Sequence, residues 1–129
     1  MRIATTEPRR RRGAFTLMEV LVVVAILVVL AGVGGVIFLN VQQDAYKDAA
    51  RIQIRELTEA AQRYAVKNGG ELPGSLAELV PGLLEQKALM DPWQKPYQYS
   101  AESQHHPAGT NKPDIWTTAP KTNEMIGNW

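Results

Sequence analysis

The sequence has no cysteine, so disulfide frameworks, thiolate metal sites and thiol catalysis are excluded together. It also lacks a Gly-rich phosphate loop, a Gly-x-Ser-x-Gly elbow and any motif pairing a nucleophile with a base. His105 and His106 are adjacent in a polar stretch, without the i,i+4 spacing or third ligand that zinc prefers, and read as part of a surface loop. No charge occurs from Val20 to Leu39, and no proline between Glu19 and Asn68. What remains is a chain of 129 residues, 45% hydrophobic and 21% charged, long enough for one small domain and too apolar for general disorder.

The net charge of +1 conceals a strong asymmetry. Five of the fourteen basic residues, Arg2, Arg9, Arg10, Arg11 and Arg12, precede Phe15, with only Glu7 opposing them. The rest of the chain holds nine basic residues against twelve acidic ones. Nucleic-acid binding would place such a cluster on a folded surface, so no nucleic-acid partner is expected. A basic leader ahead of an apolar segment instead predicts a cytoplasmic N-terminus and an exported C-terminal head.

The apolar segment, VLVVVAILVVLAGVGGVIFL over Val20–Leu39, is twenty residues long. At ~1.5 Å per residue it crosses the ~30 Å hydrocarbon core of a bilayer. A secretory signal peptide has a shorter apolar region of ~7–15 residues and a small-residue cleavage site, neither of which fits here. Glu19 stands immediately before the run. A carboxylate at the membrane edge either marks the interface or has a partner, because a charge within lipid costs at least ~2.5 kcal/mol.

Gly13-Ala14-Phe15-Thr16-Leu17-Met18-Glu19, after a basic leader and before an apolar run, resembles the processing motif of type IV pilin-like proteins. The resemblance implies that a prepilin peptidase removes residues 1–14, cutting Ala14–Phe15 and methylating the new N-terminus on Phe15. Glu19 then becomes the fifth residue, where the family has its glutamate. Gly is the family's usual residue before the cut, so cleavage after Gly13 is the alternative. The cut exposes a cationic amine at Phe15, which the Glu19 carboxylate of a neighbouring copy neutralises as helices pack, setting one axial stagger. Gly32, Gly34 and Gly35 lie late in the run. They read either as a soft spot in the helix or as a place of close helix approach.

After Leu39 the pattern changes. Tyr46, Ala49, Ala50, Leu57, Ala60, Ala61 and Tyr64 fall at helical spacing, broken only by Gln53, and Asn68-Gly69-Gly70 is a helix stop. One helix is expected from about Thr16 to Lys67. Ser75-Leu76-Ala77-Glu78 has the capping-box form of a short helix, ended by Pro81-Gly82. Asp91 to Pro96 reads as a proline turn, Tyr97-Gln98-Tyr99 as a strand, Ser103–Pro113 as a polar loop, Asp114–Thr118 as a second strand and the remainder as a tail. The expected fold is α+β: a long N-terminal helix, its first half membrane-spanning, packed on a small antiparallel sheet. The expected divisions are a leader at 1–14, a transmembrane or filament-core helix at 15–39 and a periplasmic head at 40–129.

The head pattern, Asp91-Pro92-Trp93 leading into Pro96-Tyr97-Gln98-Tyr99, then Asp114-Ile115-Trp116 and Ile126-Gly127-Asn128-Trp129, is similar to that of the major pseudopilins of type II secretion. The resemblance implies a structural subunit rather than an enzyme. It is held in the inner membrane as a single-pass protein, then extracted into a short periplasmic filament that drives folded proteins across the outer membrane. Implied partners are copies of itself, minor pseudopilins, the prepilin peptidase and the inner-membrane platform of the secretion machine. Those relatives carry a structural calcium in an Asp- and Gly-rich loop after the second strand. Here that stretch is Thr117-Thr118-Ala119-Pro120-Lys121-Thr122-Asn123-Glu124-Met125, with one carboxylate, so no family-type calcium and no other cofactor is expected. Asp114 with Glu124 and backbone carbonyls is the weaker alternative. Trp93, Trp116 and Trp129 are expected to form a compact aromatic core in place of the ion. Two rival readings are a type IV pilin for adhesion, motility or DNA uptake, and an unprocessed, signal-anchored periplasmic binding module.

Overall fold

Twenty uncharged residues followed by an amphipathic stretch leave nothing to interrupt a helix, and one continuous helix, α1, runs Leu17–Lys67. The computed structural model describes residues 13–129, so the leader arginines Arg2 and Arg9–Arg12 lie outside the described residues. The chain forms two units, Met1–Leu39 and Asn40–Trp129.

The end of α1 has a physical cause. Gly69 and Gly70 take φ of +70° and +95°, which side chains rarely tolerate, and the Gly70 amide reaches back to the Ala65 carbonyl at 2.7 Å. This is the Schellman bond that ends helices at glycine. Asn68 adds its side-chain amide to the Tyr64 carbonyl at 2.9 Å.

In the unit Asn40–Trp129, α1 buries Ala50, Ile54, Leu57, Thr58, Ala60, Ala61 and Ala65. The many alanines allow close approach of a three-stranded antiparallel sheet of order β1-β2-β3: β1 Gln98–Ser100, β2 Asp114–Thr118 and β3 Met125–Gly127. Tyr99 pairs with Ile115, and Thr117 with Ile126. Ile115 and Ile126 join Leu76, Leu79, Tyr97 and Ala119 in the core against α1. The α+β class is as expected.

Several local expectations are corrected. The C-terminal tail contains a third strand, β3, too short to show a period. The first strand begins one residue later than Tyr97, because the Tyr97 amide donates to the Leu89 carbonyl at 3.1 Å instead of joining β2. The helix expected at Ser75–Glu78 is a single 3-10 turn, Leu76–Leu79, and Ser75 makes no side-chain capping bond. Glu78 accepts from the Tyr64 hydroxyl at 2.9 Å and the Gly74 amide at 3.1 Å. A second 3-10 turn, Gln86–Leu89, follows.

The three tryptophans do not form one core cluster. Trp93 packs edge-on against Tyr46, with ring centroids 6.2 Å apart. Trp116 and Trp129 are 6.2 Å apart and tilted, and Trp129 is 46% exposed. The chain's final turn explains this placement. Gly127 lies beneath the Trp129 ring, where a Cβ would stand 2.5 Å from a ring carbon, so the indole folds back over the glycine on the outside of the sheet.

Candidate functional site

The N-terminal segment is taken first, by itself. Gly13, Ala14, Phe15 and Thr16 have no regular secondary structure, and the Phe15 side chain is 85% exposed. The Ala14–Phe15 bond therefore lies outside any helical ladder, in the form a peptidase needs to seat a chain across its active site. The Gly13–Ala14 bond shares this property.

Helix α1 opens with a capping box. The Glu19 amide donates to Thr16 Oγ1 at 3.3 Å, and the Thr16 amide donates to Glu19 Oε2 at 3.4 Å. Val20 N–H bonds the Thr16 carbonyl at 3.3 Å, placing Thr16 at the cap and Glu19 in the first turn. The carboxylate thus satisfies an orphan donor and faces the positive end of the helix dipole. Sequence reasoning identified Glu19 but missed its exchange with Thr16, although Thr-x-x-Glu was visible.

From Val20 to Leu39 every large apolar side chain is 49–66% exposed, on all sides of the helix. The helix is long and apolar enough to cross a membrane by length and composition. An all-round apolar surface has no stable place in water, and its exposure calls for lipid or for neighbouring helices. Gly32, Gly34 and Gly35 are in regular helix, and a Cβ at any of them would meet nothing within 4 Å. Packing within the chain therefore gives no reason for glycine there.

In the unit Asn40–Trp129, two buried aspartates organise the loops. Asp91, 1% exposed, accepts from the amides of Trp93 and Lys95 at 3.0 and 2.8 Å and from the Thr117 hydroxyl. The turn read from its prolines is in fact built around this carboxylate. Asp114, 3% exposed, accepts from Ser103 Oγ at 2.7 Å, the Gln104 amide at 2.9 Å and His105 Nδ1 at 2.8 Å. Burial pushes its pKa upward, but the bonds from Gln104, His105 and Ser103 outweigh that and hold it at about 2. His105 also stacks on Trp129, with centroids 3.8 Å apart. The histidine pair is therefore built into the head rather than idle in a loop. His106 Nε2 is 3.3 Å from Asn128 Oδ1, and Asn128 donates to Thr58 Oγ1 at 2.9 Å and the Pro113 carbonyl at 2.8 Å.

The stretch after β2 does not fit a calcium ion. Its one carboxylate, Glu124, is held by Lys47 Nζ at 2.6 Å and Arg51 at 3.7 Å. Calcium asks for six to eight oxygens, several of them anionic. Asp114, the other candidate ligand, is engaged by Ser103, Gln104 and His105. Among the described residues, no group of three or more His, Asp or Glu side chains is placed to hold a metal ion.

Residues 9–35 match the family model described as the prokaryotic N-terminal methylation motif. The match spans Arg9–Arg12, the Gly13–Glu19 segment and the apolar run as far as Gly35, and does not reach the head. No curated protein and no solved structure matches the chain.

Proposed function

We propose that this chain is a pseudopilin, a structural subunit of a type II secretion system of the kind called general secretion pathway protein G. The observation that carries this reading is the juxtaposition at the start of α1. The Ala14–Phe15 bond, in irregular chain, stands just before a capped helix whose apolar surface is exposed on every side, within a segment that matches the N-terminal methylation motif.

In this reading a prepilin peptidase cuts Ala14–Phe15 and methylates the amine of Phe15. The subunit waits in the inner membrane as a single-pass protein with a periplasmic head, then enters a periplasmic filament with its copies and minor pseudopilins. Burial of the Val20–Leu39 surface against neighbouring helices replaces burial in lipid, so extraction is close to an exchange of apolar environments. Register then falls to the one polar pair, the Phe15 amine and Glu19. The choice of secretion over a surface pilus rests on the head pattern. Asp91 and Asn128, which belong to that pattern, are also the residues that pin the head's loops.

The test is N-terminal sequencing of the mature protein after production with its peptidase. A methylated Phe15 is expected, and an intact Met1 overturns the proposal. In a deletion strain, an extracellular protein trapped in the periplasm with surface pili intact is the expected phenotype. Lost pili with normal secretion would make the chain a type IV pilin.

A further inference from the structure

The β2–β3 connection is a closed turn. The Ala119 amide donates to the Glu124 carbonyl, and the Asn123 amide to the Ala119 carbonyl, both at 2.9 Å. Asn123 takes the left-handed φ of +51° that such a turn needs, and Ala119 is buried beneath it. These bonds shape the turn without attaching it to the rest of the head. Beyond the packing of Ala119, the polar attachment comes from Glu124, whose carboxylate meets Lys47 Nζ at 2.6 Å and Arg51 at 3.7 Å on α1. Lys47 is unusual for a helix-surface lysine, since its side chain is only 17% exposed. Its stem is covered by the head while its ammonium is held at the surface by the Glu124 carboxylate opposite. The bond from Lys47 holds the Glu124 carboxyl below its ordinary range, with Arg51 adding to the effect.

We infer that Lys47, seconded by Arg51, is a built-in cation that anchors the β2–β3 turn to α1 in the place where the resembled proteins use a bound calcium ion, so that this head folds independently of metal. A divalent ion gathers several carboxylates from one loop. Here the positive charge is carried by the helix itself, and one carboxylate suffices. The loop can then be short and poor in aspartate, as it is. The consequence is regulatory: supply of folded subunits would not follow the calcium concentration outside the inner membrane. The inference concerns the head alone and holds whether the filament serves secretion or a pilus.

The experiment is thermal unfolding of the detergent-solubilised full chain, followed by circular dichroism, with EDTA or with added calcium chloride. The wild-type midpoint is expected to be the same in both. Lys47→Met keeps the apolar stem and removes the charge, and should lower the midpoint by on the order of 5 °C. Glu124→Gln should lower it similarly, with no further loss in the double variant. Lys47→Arg should restore most of the loss, and high salt should weaken the wild type more than the double variant. A wild-type midpoint that falls with EDTA or rises with calcium overturns the inference. So do losses for the two single variants that simply add.

Discussion

Thr16 and Glu19 exchange two hydrogen bonds across the first turn of α1, each amide donating to the other's side-chain oxygen at 3.3–3.4 Å. Both bonds are at the long end for N–H···O geometry and hence weak. The carboxylate is satisfied in a single chain, yet little is lost when it turns from Thr16 to a stronger donor. In the proposed filament a neighbouring copy's N-terminal ammonium is such a donor, because it brings a full opposite charge to the carboxylate where the Thr16 amide brings only a dipole.

The two roles of Glu19 can be separated by substitution. Glu19→Gln keeps an oxygen for the Thr16 amide and removes the charge, whereas Glu19→Ala removes both. Each should still insert in the membrane. If the charge sets the register, both should lose filament yield together, by at least about tenfold, the effect of ~1.4 kcal/mol per contact. Pelleting sheared filaments and quantifying the membrane-bound pool measures both quantities. Wild-type filament yield from Glu19→Gln would confine the carboxylate to capping.

Asp114 makes the head acid-sensitive in a defined window. Its folded pKa of about 2 lies below the ordinary aspartate value of 3.8. Below both values the carboxyl is protonated in both states and contributes nothing. Above the unfolded value it is ionised in both, and its bonds to Gln104, His105 and Ser103 stabilise the fold in full. Stability should therefore decline as pH falls from about 4 to about 2, by roughly 2 kcal/mol given ~1.4 kcal/mol per pKa unit. Urea unfolding at successive pH values should show this slope, and Asp114→Asn should flatten it while lowering stability near neutrality. An unchanged slope in the variant would assign the acid sensitivity to other carboxylates.

How far the sequence reveals this fold depends on how local each cause is. The long helix was legible because its determinants are local: an uncharged run, a 3.6-residue period and a Gly-Gly stop. β2 was legible from Ile115-Trp116-Thr117. β3 was not, since Met125–Gly127 becomes a strand only through pairing with β2. Ile54 escaped the helical stripe drawn through Tyr46 and Leu57, yet it is among the most buried side chains. The Thr16–Glu19 pair was local and could have been read. The Asp114 cluster could not, because His105, Ser103 and Gln104 meet it only after the polar loop folds back. The expected tryptophan core failed for a related reason: where an indole goes depends on what lies beneath it, and Gly127 holds Trp129 outside.

Asn128 shows the same long-range dependence and gives the sharpest stability prediction. Its side-chain amide donates to Thr58 Oγ1 on α1 and to the Pro113 carbonyl, and its oxygen accepts from the Ile115 amide at 3.2 Å and faces His106 Nε2 at 3.3 Å. One side chain thus ties the C-terminus to the helix, to the start of β2 and to the polar loop. Thr58 is 4% exposed and Pro113 and Ile115 are buried, although Thr58 Oγ1 keeps its own bond to the Ile54 carbonyl at 2.8 Å. Asn128→Ala takes their partner from the Pro113 carbonyl and the Ile115 amide, and the cost of one unsatisfied buried group is ~1–3 kcal/mol. A total loss of about 3 kcal/mol is expected. Asn128→Asp keeps the oxygen for Ile115 and removes the donors to Thr58 and Pro113, so it should be destabilised as well, with a charge brought near Asp114 adding to the loss. Hydrogen exchange of the Ile115 amide distinguishes the two, because that amide keeps its acceptor only in the aspartate variant. Midpoints for Asn128→Ala within a degree of wild type would show that the C-terminal residues are passengers on the sheet rather than its clasp.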